Sequence, residues 1–182
     1  MWRTLKWGKK MERFMELYQM IYQDLYRLAY YYMGNAQDAE DAVQDAVLSA
    51  YEHFHQLKKE ASFRPWIFCI LVNHCKKMLK KQSHKEFSVE NPQDILPAKH
   101  NELNSQAELL ELLKTLEAEE RLIVTLMVFE GYKSLEIAQM LHRNHSTIRS
   151  KYRRALQKLK KELLKEPSSI KPRERKDPHE RI

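Results

Sequence analysis

The sequence predicts an all-α protein, and three observations carry that prediction. Apolar residues recur at three- and four-residue steps through most of the chain, the period of one helix face. Helix breakers are scarce, with three Gly and six Pro in 182 residues. Leu, Ala, Glu, Lys, Gln and Met dominate, a mixture that favours helix wherever packing does not decide. With 43% hydrophobic and 31% charged residues, the chain has the composition of a soluble globular protein, not of one disordered throughout. The pattern divides it into two small helical domains joined by a flexible linker.

Residues 1–12 read as an N-terminal extension. Lys6, Lys9 and Lys10 are not followed by an apolar run, so the segment does not resemble a signal peptide. No apolar stretch reaches 18 residues, and a cytoplasmic location is expected. The first domain spans 13–82. Phe14, Leu17, Tyr18, Ile21, Tyr22, Leu25, Ala29 and Tyr32 form one stripe of a single amphipathic helix that Gly34 ends. Asn35 is placed to cap the next helix, with acids in its first turn to complement the dipole. That helix carries Ala39, Ala42, Val43, Ala46, Val47, Ala50, Tyr51 and Phe54, and its small residues suit close packing. His55 to Ala61 breaks the period and reads as a loop. Ser62 then caps a third helix, which tolerates Pro65 in its first turn. It should bury Trp66, Ile67, Ile70 and Leu71 and present Asn73, His74, Lys76, Lys77, Lys80 and Lys81 at its far end.

Residues 83–104, with Pro92 and Pro97 and no clear periodicity, read as the linker. The second domain, 105–166, opens with Leu109, Leu112, Leu113 and Leu116, continues with Leu122, Ile123, Leu126 and Phe129, and turns at Gly131. Two helices separated by a short turn follow, with Ile137, Ala138 and Leu141 set to pack on Ile148, Tyr152, Ala155, Leu156 and Leu159. From Pro167 to 182 the chain is Pro-rich and charged, and reads as a disordered tail.

Charge is distributed more tellingly than its total of +7. Leu28 to Leu57 holds no Lys or Arg but has Asp38, Glu40, Asp41, Asp45 and Glu52. Ile137 to Lys161 holds Arg143, Arg149, Lys151, Arg153, Arg154, Lys158, Lys160 and Lys161 and no acid. Two surfaces of opposite sign imply two partners. The basic one belongs to a helix-turn-helix pattern whose turn is His142-Arg143-Asn144. Ser146, Arg149, Ser150 and Arg153 alternate with its packed face, and Asn144 is placed to cap the second helix. A polar, basic helix face suits a major groove, where Arg donates two hydrogen bonds to guanine and Lys and Arg neutralise phosphate. The competing view is a solvated helix in an ordinary bundle.

Cys69 and Cys75 lie six residues apart on one helix, about 120° around its axis, so they neither pair nor share a metal, and reduced surroundings are expected. His74 with Cys75, and His142 with His145, do not supply the ligand set that zinc needs. No nucleophile–base pair, phosphate-binding glycine loop or paired carboxylate motif is present. The expectation is a protein that is not an enzyme and uses no cofactor and no metal.

The strings FMELYQMIYQDLYRLAYYYMGNAQDAEDAVQDAVLSAY and ASFRPWIFCILVNHCKKMLKK resemble region 2 of the bacterial extracytoplasmic-function RNA polymerase sigma factors. EERLIVTLMVFEGYKSLEIAQMLHRNHSTIRSKYRRALQKL resembles their region 4. The resemblance implies a factor that binds core polymerase, directs it to promoters and helps open the DNA, while catalysis belongs to the polymerase. By residue, it implies that Asp41, Gln44, Asp45 and Leu48 dock on the polymerase clamp helices. Asn73, Lys76, Lys77 and Lys80 match the part facing the minus-10 element. The loop His55 to Glu60, with Leu57 and Lys58, matches the one that captures an unstacked base. Ser146, Thr147, Arg149, Ser150, Lys151, Arg153 and Arg154 match the helix that reads the minus-35 element. An anti-sigma factor, in some members membrane-bound, is a further implied partner; no small-molecule substrate is.

Four positions depart from the family pattern. His142 and Arg143 stand where Gly and an apolar residue are common, Lys133 where a Ser cap is common (leaving Ser134 to cap one residue later), Cys69 where a basic residue is frequent, and Glu117 where Pro is common. A stand-alone helix-turn-helix repressor, acting on a palindromic operator without polymerase, is the alternative from another functional class.

Overall fold

The structure is a computed structural model. It describes residues 2–82 and 100–165, with side chains from 8–82 and 106–165. The described elements are helices α1 (Trp2–Gln19), α2 (Tyr22–Met33), α3 (Ala36–His53), α4 (Phe63–Gln82), α5 (His100–Lys114), α6 (Ala118–Val128), α7 (Ser134–Leu141) and α8 (His145–Leu163). No strand occurs among the described residues, in agreement with the all-α expectation. The proposed tail from 167 and most of the proposed linker lie outside the described residues. The last linker residues, from His100, already belong to α5.

The expected single first helix is two helices. Ile21 leaves helical geometry (φ −126°, ψ 1°), and its N–H bonds to the Tyr18 carbonyl three residues back. Of the expected stripe, Phe14, Ile21, Leu25, Ala29 and Tyr32 are nonetheless buried, Leu17 and Tyr18 are partly buried, and Tyr22, beside the bend, is exposed. Periodicity reports which face is buried, and a short bend that keeps the face inward leaves no mark on it. Gly34 ends α2 in the left-handed region (φ 87°), its N–H bonded to the Tyr30 carbonyl. The Asn35 side chain then accepts from the Asp38 N–H at 2.8 Å, the expected cap of α3.

Alanines let α3 lie close to its neighbours, since Ala39, Ala42, Ala46 and Ala50 are essentially inaccessible. Helices α2, α3 and α4 form the N-terminal lobe, closed at one end by edge-on contacts of Phe14 with Tyr51, Phe54 and Phe63. Within α4, Ile67 and Leu71 are buried as expected. Trp66 and Ile70 are only partly so, and Phe68 and Cys75 take core positions instead. Helix α4 touches both α2 and α3, so its buried face is wider than the expected stripe. The segment after α3 forms two 3₁₀ turns, Phe54–Gln56 and Glu60–Ser62, and Ser62 ends the second of them ahead of α4.

In the C-terminal lobe, Ile137, Ala138 and Leu141 of α7 and Ile148 and Ala155 of α8 are buried as expected, whereas Leu156 is exposed. Helix α7 starts after Lys133, whose N–H donates to Glu136 at 2.7 Å. Ser134 does not cap it. Its hydroxyl instead meets His145 Nε2 at 2.7 Å and ties the starts of α7 and α8 together. The lobes are not held apart. Helix α6 packs on α2, and one apolar core runs from Leu25 and Phe68 to Leu122, Ile123, Leu126 and Ile137.

Candidate nucleic-acid interface

The helix-turn-helix is α7, a turn and α8. His142 adopts φ 51° and ψ 49°. The His142 N–H bonds to the Gln139 carbonyl at 3.3 Å and the Arg143 N–H to the Ala138 carbonyl at 2.9 Å. This bonding pattern closes helices that end in a left-handed residue. Asn144 occupies the capping position of α8 without a side-chain bond to it. The first amides of α8 are thus left without that intrahelical acceptor, in the place where helix N-termini meet phosphate.

Along α8, Ser146, Arg149, Arg153 and Arg154 are exposed, and Thr147, Ser150 and Lys151 are partly buried. A cleft of about 470 Å³ beside the helix is lined by Ser134, Ser146, Arg149, Ser150 and Arg153 with Met127 and Tyr152. Arg149 and Arg153 therefore share one wall with three hydroxyls. Lys151 turns the other way, onto Glu119 of α6 at 2.8 Å, and Arg143 reaches the same carboxylate at 3.1 Å. Burial pushes the Glu119 carboxyl up, but Lys151 and Arg143 outweigh it and hold the group below its ordinary value. Glu119 was not expected from the sequence, where it is one of three consecutive acidic or small residues opening a helix and nothing marks its partners 24 and 32 residues on.

On α3, Asp41, Gln44, Asp45 and Leu48 are all exposed, and Leu48 is 65% accessible despite being apolar. An exposed leucine within an acidic face departs from the buried face of the same helix, where only small and apolar residues occur. Asp45 lies 3.9 Å from His74 Nδ1 of α4, so the acidic face adjoins the basic helix.

On α4, Asn73, Lys77 and Lys80 are exposed, whereas Lys76 is half-buried. Burial pushes the Lys76 ammonium below its ordinary value, opposed by Glu119 and reinforced by Arg143, both from the C-terminal lobe. The second lobe thus sits against this end of α4. Leu57, between the two 3₁₀ turns, is partly buried and packs on the N-terminal core, and Lys58 is exposed. Both cysteines are free thiols, with Cys75 buried and pushed up to about 12.

Comparison with known proteins agrees with this arrangement. Residues 17–85 match Sigma-70 region 2, and residues 106–159 match Sigma-70 region 4. The RNA polymerase sigma factor SigV of Bacillus subtilis is 29% identical over 147 residues, 81% of this chain and 89% of SigV. The ECF RNA polymerase sigma factor SigM of Mycobacterium tuberculosis is 28% identical over 149 residues, 80% of this chain and 74% of SigM. Among solved structures, the sigma factor RpoE in its co-crystal with the anti-sigma factor NepR from Bartonella quintana superposes with a TM-score of 0.73. It covers 84% of this chain and 97% of RpoE at 22% identity, a likeness of fold. With both regions matched in order, and relatives that span most of its length, the chain belongs to the sigma-70 family, among its extracytoplasmic-function sigma factors.

Proposed function

We propose that the protein directs core RNA polymerase to specific promoters and helps open the DNA there, acting in the cytoplasm as an initiation factor while the polymerase supplies catalysis. One observation carries the reading over the stand-alone repressor. The same chain exposes an acidic face with an uncovered leucine, Asp41, Gln44, Asp45 and Leu48, and a separate basic helix face at Ser146, Arg149, Arg153 and Arg154. The first would repel DNA and the second attracts it, so the two faces serve different macromolecules.

In this reading α3 docks on the clamp helices of the polymerase. Ser146, Arg149, Ser150 and Arg153 read minus-35 base edges, with Thr147 and Arg154 at the flanking backbone, and Lys151 joins them if Glu119 releases it. Asn73, Lys76, Lys77 and Lys80 face the minus-10 element, and Leu57 with Lys58 receives an extruded base, whose lost stacking such a pocket offsets. An anti-sigma factor is a proposed regulatory partner, by analogy with the RpoE–NepR pair.

The test is reconstitution of the purified protein with core polymerase on a promoter library and mapping of transcript starts. Factor-dependent starts sharing sequence elements near −35 and −10 are expected. Failure to bind core polymerase, together with binding to a palindromic site alone, would establish the repressor instead.

A further inference from the structure

Helix α1 runs out past the lobe it belongs to. At Phe14 it is anchored, because that ring is buried and meets those of Phe54 and Phe63 edge-on at 5.3 and 5.6 Å. Ahead of that point Gly8, Lys9, Met11, Glu12 and Arg13 are all exposed, and a Cβ added at Gly8 would meet nothing within 4 Å. The helix nonetheless starts at Trp2, about 18 Å before Phe14 at the helical rise. A stretch this short, with a glycine inside it, is marginal in water on its own. It also lies ahead of the residues that match region 2.

Residues 1–11 hold Arg3, Lys6, Lys9 and Lys10 and no acid, with Trp2 and Trp7 interleaved among them. The helical period puts positions 3, 6, 10 and 13 on one side of α1. The inner two are engaged where α3 gives way to the loop 55–60. Lys10 Nζ stands 5.1 Å from the centre of the Tyr51 ring, and Arg13 Nε donates to Glu60 at 2.8 Å. The row of cations therefore leads outward from the loop that carries Leu57 and Lys58.

We propose that the outer turns of α1 are a binding surface for single-stranded DNA, which takes the strand leaving the base held at Leu57 and Lys58. The proposal rests on the promoter reading above. Once the duplex is open, that strand brings phosphates to Arg3, Lys6 and Lys9 and unstacked bases to Trp2 and Trp7. Cations along the backbone and aromatic rings for the bases are the means by which proteins hold single strands without reading their sequence. A membrane surface fits less well. A helix lying on anionic lipid buries an apolar side opposite its cations. The positions opposite this row are Thr4, Leu5, Gly8 and Glu12, of which only Leu5 is a large apolar residue.

The test uses holoenzyme reconstituted from the full chain and core polymerase, with two forked promoter templates. In the short fork the non-template strand ends at the minus-10 element; in the long fork it continues as about ten unpaired nucleotides. The triple variant Arg3→Gln, Lys6→Gln, Lys9→Gln keeps good helix formers at all three positions and leaves Lys10 and Arg13 in place. It is expected to bind the long fork about tenfold more weakly than wild type, with the salt slope reduced by about two, and to bind the short fork as wild type does. The charge-keeping triple Arg3→Lys, Lys6→Arg, Lys9→Arg should bind both forks as wild type does. Wild-type affinity of the glutamine variant for the long fork overturns the proposal, as does an equal loss on both forks. Adhesion of the wild-type chain, but not the glutamine variant, to phosphatidylglycerol vesicles with long-fork binding unchanged would assign the helix to a membrane and also overturn it. Failure of wild-type holoenzyme to bind even the short fork would sink the promoter reading, and this surface with it.

Discussion

His142 is the described non-glycine residue with positive φ, and it sits at the turn on which the helix-turn-helix depends. A side chain in that region costs about 1–2 kcal/mol, against which glycine's greater unfolded-state freedom is to be set. His142→Gly is therefore expected to stabilise the protein by about 0.5–1 kcal/mol, seen as a higher unfolding midpoint. A lower midpoint would mean that the imidazole makes interactions which offset the strain. At the DNA surface, Arg149 and Lys80 should behave differently. Arg149→Ala is expected to lose about 1–3 kcal/mol at particular minus-35 bases, because a bidentate base contact is what it would supply. Lys80→Ala should weaken binding evenly across sequences and reduce the salt slope by about one. Sequence-independent losses from both, in binding titrations against a set of minus-35 variants, would remove Arg149 from base recognition.

Helix α3 shows how one element serves two demands. Its inner face of alanines and Val43 lets α2 and α4 approach, while its outer face keeps Asp41, Gln44, Asp45 and Leu48 in solvent. Leu48→Glu touches no core contact, so it is expected to leave the thermal midpoint within a degree or two of wild type, since exposed substitutions shift stability by roughly 0.5 kcal/mol or less. It should at the same time cut core-polymerase affinity at least tenfold, measured by titration of labelled protein. Unchanged affinity would move the polymerase contact elsewhere. The start of the same helix is fixed by Asn35, and Asn35→Ala should cost about 1 kcal/mol in denaturant unfolding through loss of the cap. Both features are local. They could be placed from the sequence because a cap and a face depend on residues within one or two turns of each other.

For the molecule as a whole, the contact between the two lobes includes Glu130, which accepts from Arg27 at 3.0 Å and from Arg64 at 2.9 Å. Burial pushes its carboxyl above the ordinary 4.5; Arg27 counters this most, Asp24 adds to it, and Arg64 opposes it. Tyr132, whose hydroxyl burial pushes up to about 12, stays neutral near pH 7. A raised carboxyl holds a proton more readily in the folded chain than in the unfolded one. Its contribution to stability is therefore full below about pH 4.5 and is lost as pH rises through the raised value. Glu119, held low by Lys151 and Arg143, runs the opposite way and loses its contribution on acidification. The unfolding free energy of wild type, measured in denaturant, should thus fall with rising pH more steeply through this group than that of Glu130→Gln, whose amide does not titrate. Equal slopes for the two chains across pH 4 to 8 would assign the dependence to other groups.

The sequence by itself determined the all-α class, the alanine-lined α3, the Gly34 and Asn35 boundary, the turn at His142 and the opposed charges of α3 and α8. Each follows from neighbours along the chain: a helix period, a cap three residues from its amide, a run of one charge. What only the tertiary structure decided involves partners far apart in sequence. The bend at Ile21, the choice of Phe68 over Trp66 for the core, the turning of Lys151 onto Glu119, and the seating of Tyr31 among Leu110, Leu113 and Val124 all depend on which helices meet. Tyr30, Tyr31 and Tyr32 are the same residue type in sequence, and they differ only in what stands opposite each ring.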